Sequence, residues 1–307
     1  MPPFETGRSK PFDVVGFGFN TLDHVCVVPR PPAPESKQRV GRYFRQAGGQ
    51  VPTALVALQR WGLRTAYVGP FGNDEGGELQ SASLRGEGVD LSGCQRRTGV
   101  GSQLSFIFVD RVSGERTILW ERPDGLGLTV EKLDRNLLTA GRVLFMDADD
   151  GETALCTARW AQEDGALVML DLDEPRPHTE ALLQLTDIAI VSGRFPHRLT
   201  GEADLRRALK KMGRMGPTFL AATLGRGGAV ACVDGEDLYV PAFTVPVVDT
   251  TSAGDLFHAG CLYGILQRWE APRCLRFAAA AAALECTEWG GRTAIPSLDR
   301  VHQMLKS

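Results

Sequence analysis

The sequence predicts an α/β protein built on a doubly wound, mostly parallel sheet, with a small second β-sheet attached. Three observations carry this reading. Short apolar runs alternate with helix-spaced segments over most of the chain, the order from which parallel βαβ units are made. Two regions, residues 24–46 and 100–122, break that rhythm with hairpin-like, half-buried strand patterns. No linker, internal repeat or low-complexity tract divides the 307 residues, so one domain spanning 1–307 is expected.

Taken in order, the apolar runs are Phe12 to Val15, Thr65 to Val68, Val143 to Met146, Leu167 to Leu170, Ile188 to Val191, Thr218 to Thr223 and Val230 to Val233. In the first irregular region, Cys26 to Val28 and Arg39 to Arg45 read as strands around a Pro-rich link. In the second, the chain alternates through Phe106 and Phe108, turns at Asp110 to Glu115 and returns through Arg116 to Leu119. A sheet built from these strands is placed to serve as a lid over the C-terminal edge of the parallel strands, where α/β sites lie. Periodicity alone fits a plain edge extension equally well. Tyr43, Phe44, Phe106 and Phe108 are candidates to line such a lid, to pack within it, or to join two copies of the chain through paired lids.

Composition narrows the functional classes. Hydrophobic residues at 43% and charged residues at 23% are ordinary for a soluble globular protein. A formal net charge of −3 offers no electrostatic reason to bind nucleic acid or an acidic membrane. The seven cysteines are scattered without C-x-x-C pairs or zinc spacing, which reads as reduced core thiols in the cytoplasm. Met1 to Pro11 has no apolar h-region, so no secretory signal is expected. The alanine run Ala278 to Ala283 is too short to span a bilayer and reads as a helix packed closely on its neighbour. Arg206, Arg207, Lys210 and Lys211 read as the solvated face of one helix.

The segment Asp249 to Gly260 combines small residues, one carboxylate and the opening of an apolar helix. Thr251 to Gly254 has little side-chain bulk, so backbone amides can approach an anion. Val245 to Val248 reads as a strand entering the loop, and Leu256, Phe257, Leu262, Tyr263, Leu266 and Trp269 fall on one helical face. A helix starting near Gly254 aims unpaired amides and its positive dipole end at whatever stands before the loop. Asp255 would stand there to accept a hydroxyl proton. The plainer alternative, that Asp255 only caps a helix, is outweighed by the strand–loop–helix context. Other motifs are weak or missing: Gly16-Phe17-Gly18 is followed by Thr21 where a dinucleotide fingerprint needs glycine, the lack of any Gly-Lys pair removes a Walker A loop, and neither H-E-x-x-H nor G-x-S-x-G occurs.

These residues, taken together, resemble the PfkB family of carbohydrate kinases, of ribokinase-like fold, along essentially the whole chain. Asp249 to Asp255 is similar to the family's D-T-x-G-A-G-D signature, and Gly48-Gly49-Gln50-Val51-Pro52-Thr53-Ala54 to its N-terminal one. Thr223-Leu224-Gly225-Arg226-Gly227-Gly228 resembles the loop beside ATP, and Gly290 to Pro296 the C-terminal loop. The resemblance implies that Asp255 is the catalytic base and that Ser252, Ala253 and Gly254 complete an anion hole with it. It implies a substrate set of Asn20, Asp23, Gly48, Gly49 and Gln50, with Asp147 or Asp149 added at a strand end. It also implies an ATP set of Thr223, Gly225, Gly228, Ser252 and Gly254, and a monovalent-cation site, such as K⁺, at Asp249 and Thr251. Mg²⁺ is expected with ATP.

Three departures stand out. Ser252 replaces the glycine that opens the anion hole, Pro52 replaces a sugar-binding asparagine, and Ser192-Gly193-Arg194-Phe195 replaces the N-x-x-E segment. That last form, with Asp171 to Arg176 and Arg116 to Leu119, is reminiscent of the ketohexokinase branch. The implied activity is ATP-dependent phosphorylation of a small sugar, a ketose such as fructose being favoured. A modified or acidic sugar, a nucleoside, or a binding protein that has lost activity remain as alternatives.

Overall fold

The computed structural model describes Phe4 and residues 9–306. Most of the polar stretch from Met1 to Pro11 therefore lies outside the described residues. Strands β1 (Phe12–Phe17), β2 (Thr21–Val28) and β3 (Arg42–Gly48) lead into helix α1 (Gln50–Arg60). β4 (Thr65–Val68) and β5 (Pro70–Gly72) precede α2 (Glu75–Gly86). β6 (Gln95–Arg97), β7 (Leu104–Asp110) and β8 (Arg116–Glu121) precede the short α3 (Arg135–Leu138). β9 (Gly141–Met146), α4 (Gly151–Glu163), β10 (Leu167–Leu172), α5 (Thr179–Leu183) and β11 (Ile188–Ser192) then alternate. After α6 (Phe195–Thr200) and α7 (Leu205–Gly213) come β12 (Phe219–Thr223), β13 (Ala229–Val233) and β14 (Glu236–Val240). Helices α8 (Ala253–Leu266), α9 (Ala271–Glu285) and α10 (Leu298–Met304) follow.

The main sheet has eight strands in the order β14-β13-β12-β11-β10-β9-β1-β4. From β12 to β4 all neighbours are parallel, and β13 and β14 form an antiparallel edge. Its strands are apolar on both faces, and period 2 sorts their side chains into two cores. Val143, Phe145, Met169 and Ile190 join α1, α8 and α9 on one side. Leu144, Met146, Leu170 and Val191 join α4, α5 and α7 on the other. The seven alternating runs from Phe12 to Val233 all fall in this sheet, with β12 starting one residue later than read, at Phe219. β14 was not among them, because Glu236 and Asp237 mask its short alternation.

The second sheet has four strands in the order β3-β2-β7-β8, so the two irregular regions do pair with each other, through parallel β2 and β7. Val25, Ile107 and Val109 form its small core with Phe44 and Trp289. Tyr43 and Phe106 lie instead on its exposed face, where both rings stack on His24.

Two local expectations are corrected. α8 is buried all round from Leu256 to Leu266 rather than along one face, and Trp269 lies beyond its end, edge-on to Tyr263 at 5.6 Å. Val245 to Val248 is not a strand. Pro246 has no amide to donate, and the Val248 amide goes to the Cys286 carbonyl at 2.8 Å, tying the segment to the end of α9 instead of to a sheet.

The alanine run sits in α9, packed on α8 as expected. A Cβ on Gly260 would lie 2.5 Å from the Cα of Ala278, and one on Gly264 2.8 Å from Cys274 Sγ. Gly260→Ala gains about 1 kcal/mol of helix propensity but must push the two backbones apart. We expect a net loss of about 1–3 kcal/mol in urea unfolding; a more stable variant would contradict this close approach.

Candidate active site

A cleft of about 720 Å³ runs between the C-terminal ends of β9, β10, β11 and β12 and one face of the four-stranded sheet. The sheet's contribution includes Ile107 and, from the alternate positions of β8, Arg116, Ile118 and Trp120, with Arg122 just beyond the strand's end. Tyr43, Phe44, Phe106 and Phe108 do not line it. The aromatic that the four-stranded sheet turns to the cleft is Trp120.

At one side stands the N-terminus of α8. Ser252, its N-cap, adopts φ 63° and ψ 4°, left-handed backbone in which a Cβ is strained and which glycine enters freely. The Ala253 amide turns back to the Thr250 carbonyl at 3.3 Å. Those of Gly254 and Asp255 have no acceptor among the described residues and belong to the unsatisfied first turn. A Cβ on Gly254 would meet nothing within 4 Å, so the loop opens on the cleft. The Asp255 carboxyl is pushed up to about 8, by burial first and then by Asp171, against the opposing pull of His258 and Arg116. Behind the loop, fully buried Asp249 accepts from the Thr251 amide at 2.8 Å and the Gly290 amide at 3.1 Å. Thr251 Oγ1 is buried without a hydrogen-bond partner.

At the other side, Asp23 is buried with Oδ1 unpartnered, and its carboxyl is raised to about 7 by burial, against the charge of Arg292. Gly48 is what lets it fit, since a Cβ there would lie 2.1 Å from Asp23 Oδ2. Gly49, at φ 98°, brings its backbone against Phe19 and Asn20. Gln50 reaches across to Asp173 Oδ2 at 2.9 Å. Asp147 accepts from the Phe19 amide at 2.8 Å and is raised to about 7 by burial and by Asp149. Arg122 lies over the Phe19 ring at 3.5 Å and donates to Asp149 and Gln103, both at 2.6 Å. Arg176 stands 3.5 Å from the same Asp149. Asn20, in contrast, turns away from the cleft: its amide donates to Tyr67 Oη at 2.9 Å and to the Pro70 carbonyl at 2.8 Å. Gly48 and Asp249 support the cleft without lining it, and Pro52 is buried in the first turn of α1.

Thr223, Gly225 and Gly228 line the cleft at the end of β12. Gly228 is required there, because a Cβ would lie 2.1 Å from the Val240 carbonyl. Ser192 and Thr223 meet as neighbours on β11 and β12.

A parallel sheet with a carboxylate and free amides at its open edge, faced by a second sheet, is an arrangement suited to phosphoryl transfer to an alcohol. The comparisons carry this to a family. The chain belongs to the pfkB family carbohydrate kinases, whose profile matches residues 13–298. It is 25% identical to ribokinase of Haemophilus influenzae, covering 94% of this chain and 97% of the relative. It is 29% identical to fructokinase-1 of Oryza sativa subsp. japonica, covering 98% of each. The structure of fructokinase with bound ATP from Xylella fastidiosa superposes with a TM-score of 0.80 at 25% identity, over 96% of this chain and 98% of that one.

Several cleft residues had no assigned role in the sequence reading. Asp171 and Asp173 end β10, and their position at a strand's C-terminal end was the available signal. Arg116 and Trp120 were concealed in a strand whose polar and apolar positions do not alternate cleanly, and Arg122 in the loop that follows it. His258 looks like an isolated polar residue within an apolar helix, as does Glu285, which does not line the cleft.

Glu285 is fully buried with both carboxyl oxygens unpartnered, and its carboxyl is pushed up to about 10 by burial, then by Asp255 and Asp249. A carboxyl raised on folding costs stability as pH climbs from its unfolded value through its folded one. Glu285→Met removes that cost. Its stability relative to the natural chain is expected to grow by at least about 1 kcal/mol between pH 5 and pH 9, read by urea unfolding; a difference independent of pH would show that Glu285 is not held protonated.

Proposed function

We propose that the protein is an ATP-dependent kinase of a small carbohydrate, with Asp255 as its general base. The observation that carries this is the placement of Asp255 beside two unpartnered amides at the N-terminus of a buried helix, in the same cleft as the free oxygen of Asp23. A sugar held by Asp23, Asp147 and the backbone at Gly49 would offer a hydroxyl to Asp255. As its oxygen bonds to the γ-phosphorus, the proton passes to Asp255 and the bond from γ-phosphorus to the bridging oxygen of ADP breaks. The amides of Gly254 and Asp255 hold the charge on the transferring group. Thr223, Gly225 and Gly228 border the nucleotide.

No group of three or more His, Cys, Asp or Glu among the described residues could hold a metal ion, so Mg²⁺ would be carried mainly by the phosphates and water, where it neutralises charge between the β- and γ-groups. The orphaned Thr251 hydroxyl beside Asp249 fits a monovalent cation such as K⁺. The four-stranded sheet acts as a lid that excludes water, and its exposed face at Tyr43 and Phe106 is where two copies would meet.

Among sugars, a ketohexose is the first reading, supported by the likeness to fructokinases over the whole chain. An acidic sugar is the second, favoured by Arg122 and Arg176, two guanidinium groups at the substrate side that share the single carboxylate of Asp149. A protein that only binds its ligands is disfavoured, since such a binder has no use for Asp255.

Asp255→Asn is expected to lower ATP-dependent ADP release at least about a hundredfold with ATP binding nearly unchanged; undiminished turnover would remove Asp255 from the chemistry. A panel of ketoses, aldoses, sugar acids and nucleosides selects the substrate. Arg122→Gln separates the two sugar readings: loss of about tenfold or more in kcat/KM on sugar acids, with neutral ketoses little changed, supports the acidic one, and equal loss on both rejects it.

A further inference from the structure

His258 lies one turn into α8 and is 4% exposed. Its Nδ1 is 2.7 Å from the Gly254 carbonyl oxygen, and its Nε2 is 3.2 Å from the Ile190 carbonyl oxygen and 3.3 Å from Asp171 Oδ1. Phe145 covers the ring at 5.8 Å between centroids. Carbonyl oxygens only accept, and so does an ionised carboxylate. A neutral imidazole would turn a lone pair towards one of these oxygens in a dry site, whereas an imidazolium donates from both nitrogens.

The Gly254 carbonyl and the Asp255 amide belong to one planar, trans peptide, so they point in opposite directions. A donor that fixes the carbonyl on the inner side therefore aims the Asp255 N–H at the cleft, and polarises that peptide so that its N–H donates more strongly. Asp171 has a second relation to the site. It lines the cleft, and its charge opposes ionisation of Asp255.

We propose that Asp171 and His258 form a buried ion pair whose imidazolium positions the Gly254–Asp255 peptide and offsets the Asp171 charge that faces the base. The two are positioning residues, and the inference rests on the reading of Asp255 as base. Burial alone would drive the imidazole neutral, and Asp171 together with the two carbonyls overcomes it, holding the group up at about 9. The other charged groups facing this assembly are Asp173 beyond the end of β10, Arg116 from β8, Glu285 from α9 and Arg292 from the loop after α9. His258 is the cation that touches Asp171 directly.

The first test needs no substitution. Nitrogen NMR of the natural protein should show both ring nitrogens of His258 protonated at pH 7, and a neutral tautomer there overturns the proposal whatever the enzyme's activity. The second is the pH profile of kcat/KM. His258→Gln leaves Asp171 uncompensated, so the acid limb moves up by about one unit while turnover falls at least about tenfold. Asp171→Asn combined with His258→Gln removes both charges and brings the limb back towards its original position. An acid limb that stays in place in the single variant, or fails to return in the double one, reduces His258 to a core residue. Failure of Asp255 as base would appear separately, as undiminished turnover of Asp255→Asn with the His258 signals unchanged.

Discussion

The contact on which the site depends is the backbone approach of α8 and α9. Gly260 lets α8 lie against the Ala278 backbone and Gly264 leaves room for Cys274 Sγ, and with α1 and the sheet on its other sides α8 is buried all round. A helix so enclosed cannot shift or tilt without opening a cavity, a change that costs about 24 cal/mol per Å³. Its first turn is consequently fixed with respect to the ends of β10 and β11. Asp249 secures the same point from the other direction, joining the loop before α8 to the loop after α9 through two backbone amides. Rigid amides that require no reorganisation are what make an anion site effective.

The second constraint is electrostatic. Asp23, Asp147, Asp173, Asp255 and Glu285 all have carboxyls raised from their ordinary values, with burial as the first cause in each. Burial dominates, and a neighbouring carboxylate adds to it for Asp147, Asp173, Asp255 and Glu285, though not for Asp23. Asp13 at the far end of β1 shows the contrast: two arginines and a backbone amide hold its carboxyl below the usual value despite partial burial. Asp13 is thus matched by cationic partners, whereas Asp23, Asp147, Asp173 and Asp255 in the cleft are raised towards neutral pH, the range in which titratable groups become usable.

The sequence made the main sheet legible because its strands are short, apolar on both faces and separated by helical spacing. It singled out Asp255, Gly254, Asp23 and Gly228 from short loops of small residues at strand and helix ends, and the fold brings all four to one cleft. It misled at Val245 to Val248, where four apolar residues including Pro246 imitate a strand, and at Asn20, whose polarity serves the buried Tyr67 and Pro70 contacts instead of a ligand. Arg122, Asp171 and His258 escaped because their meaning lies in partners distant in the chain. No local periodicity records that Asp171 and His258 meet at 3.3 Å, or that Ser252 would occupy the conformation its Cβ resists.

For the proposed lid, β8 is the working edge. Arg116 at its start donates to the Thr250 carbonyl at 2.8 Å, and Arg122 just beyond its end pairs with Asp149. The turn before it is held as well, since the Gly114 carbonyl accepts from both the amide and the hydroxyl of Thr250 at 3.0 Å. These ties are polar and partly solvated, each worth about 1 kcal/mol or less, in contrast to the apolar contacts that hold α8. Closure can therefore be reversible while the anion loop stays fixed. The tie at Arg122 is also the one nearest the substrate side, so a ligand that draws Arg122 away from Asp149 would alter closure and recognition together.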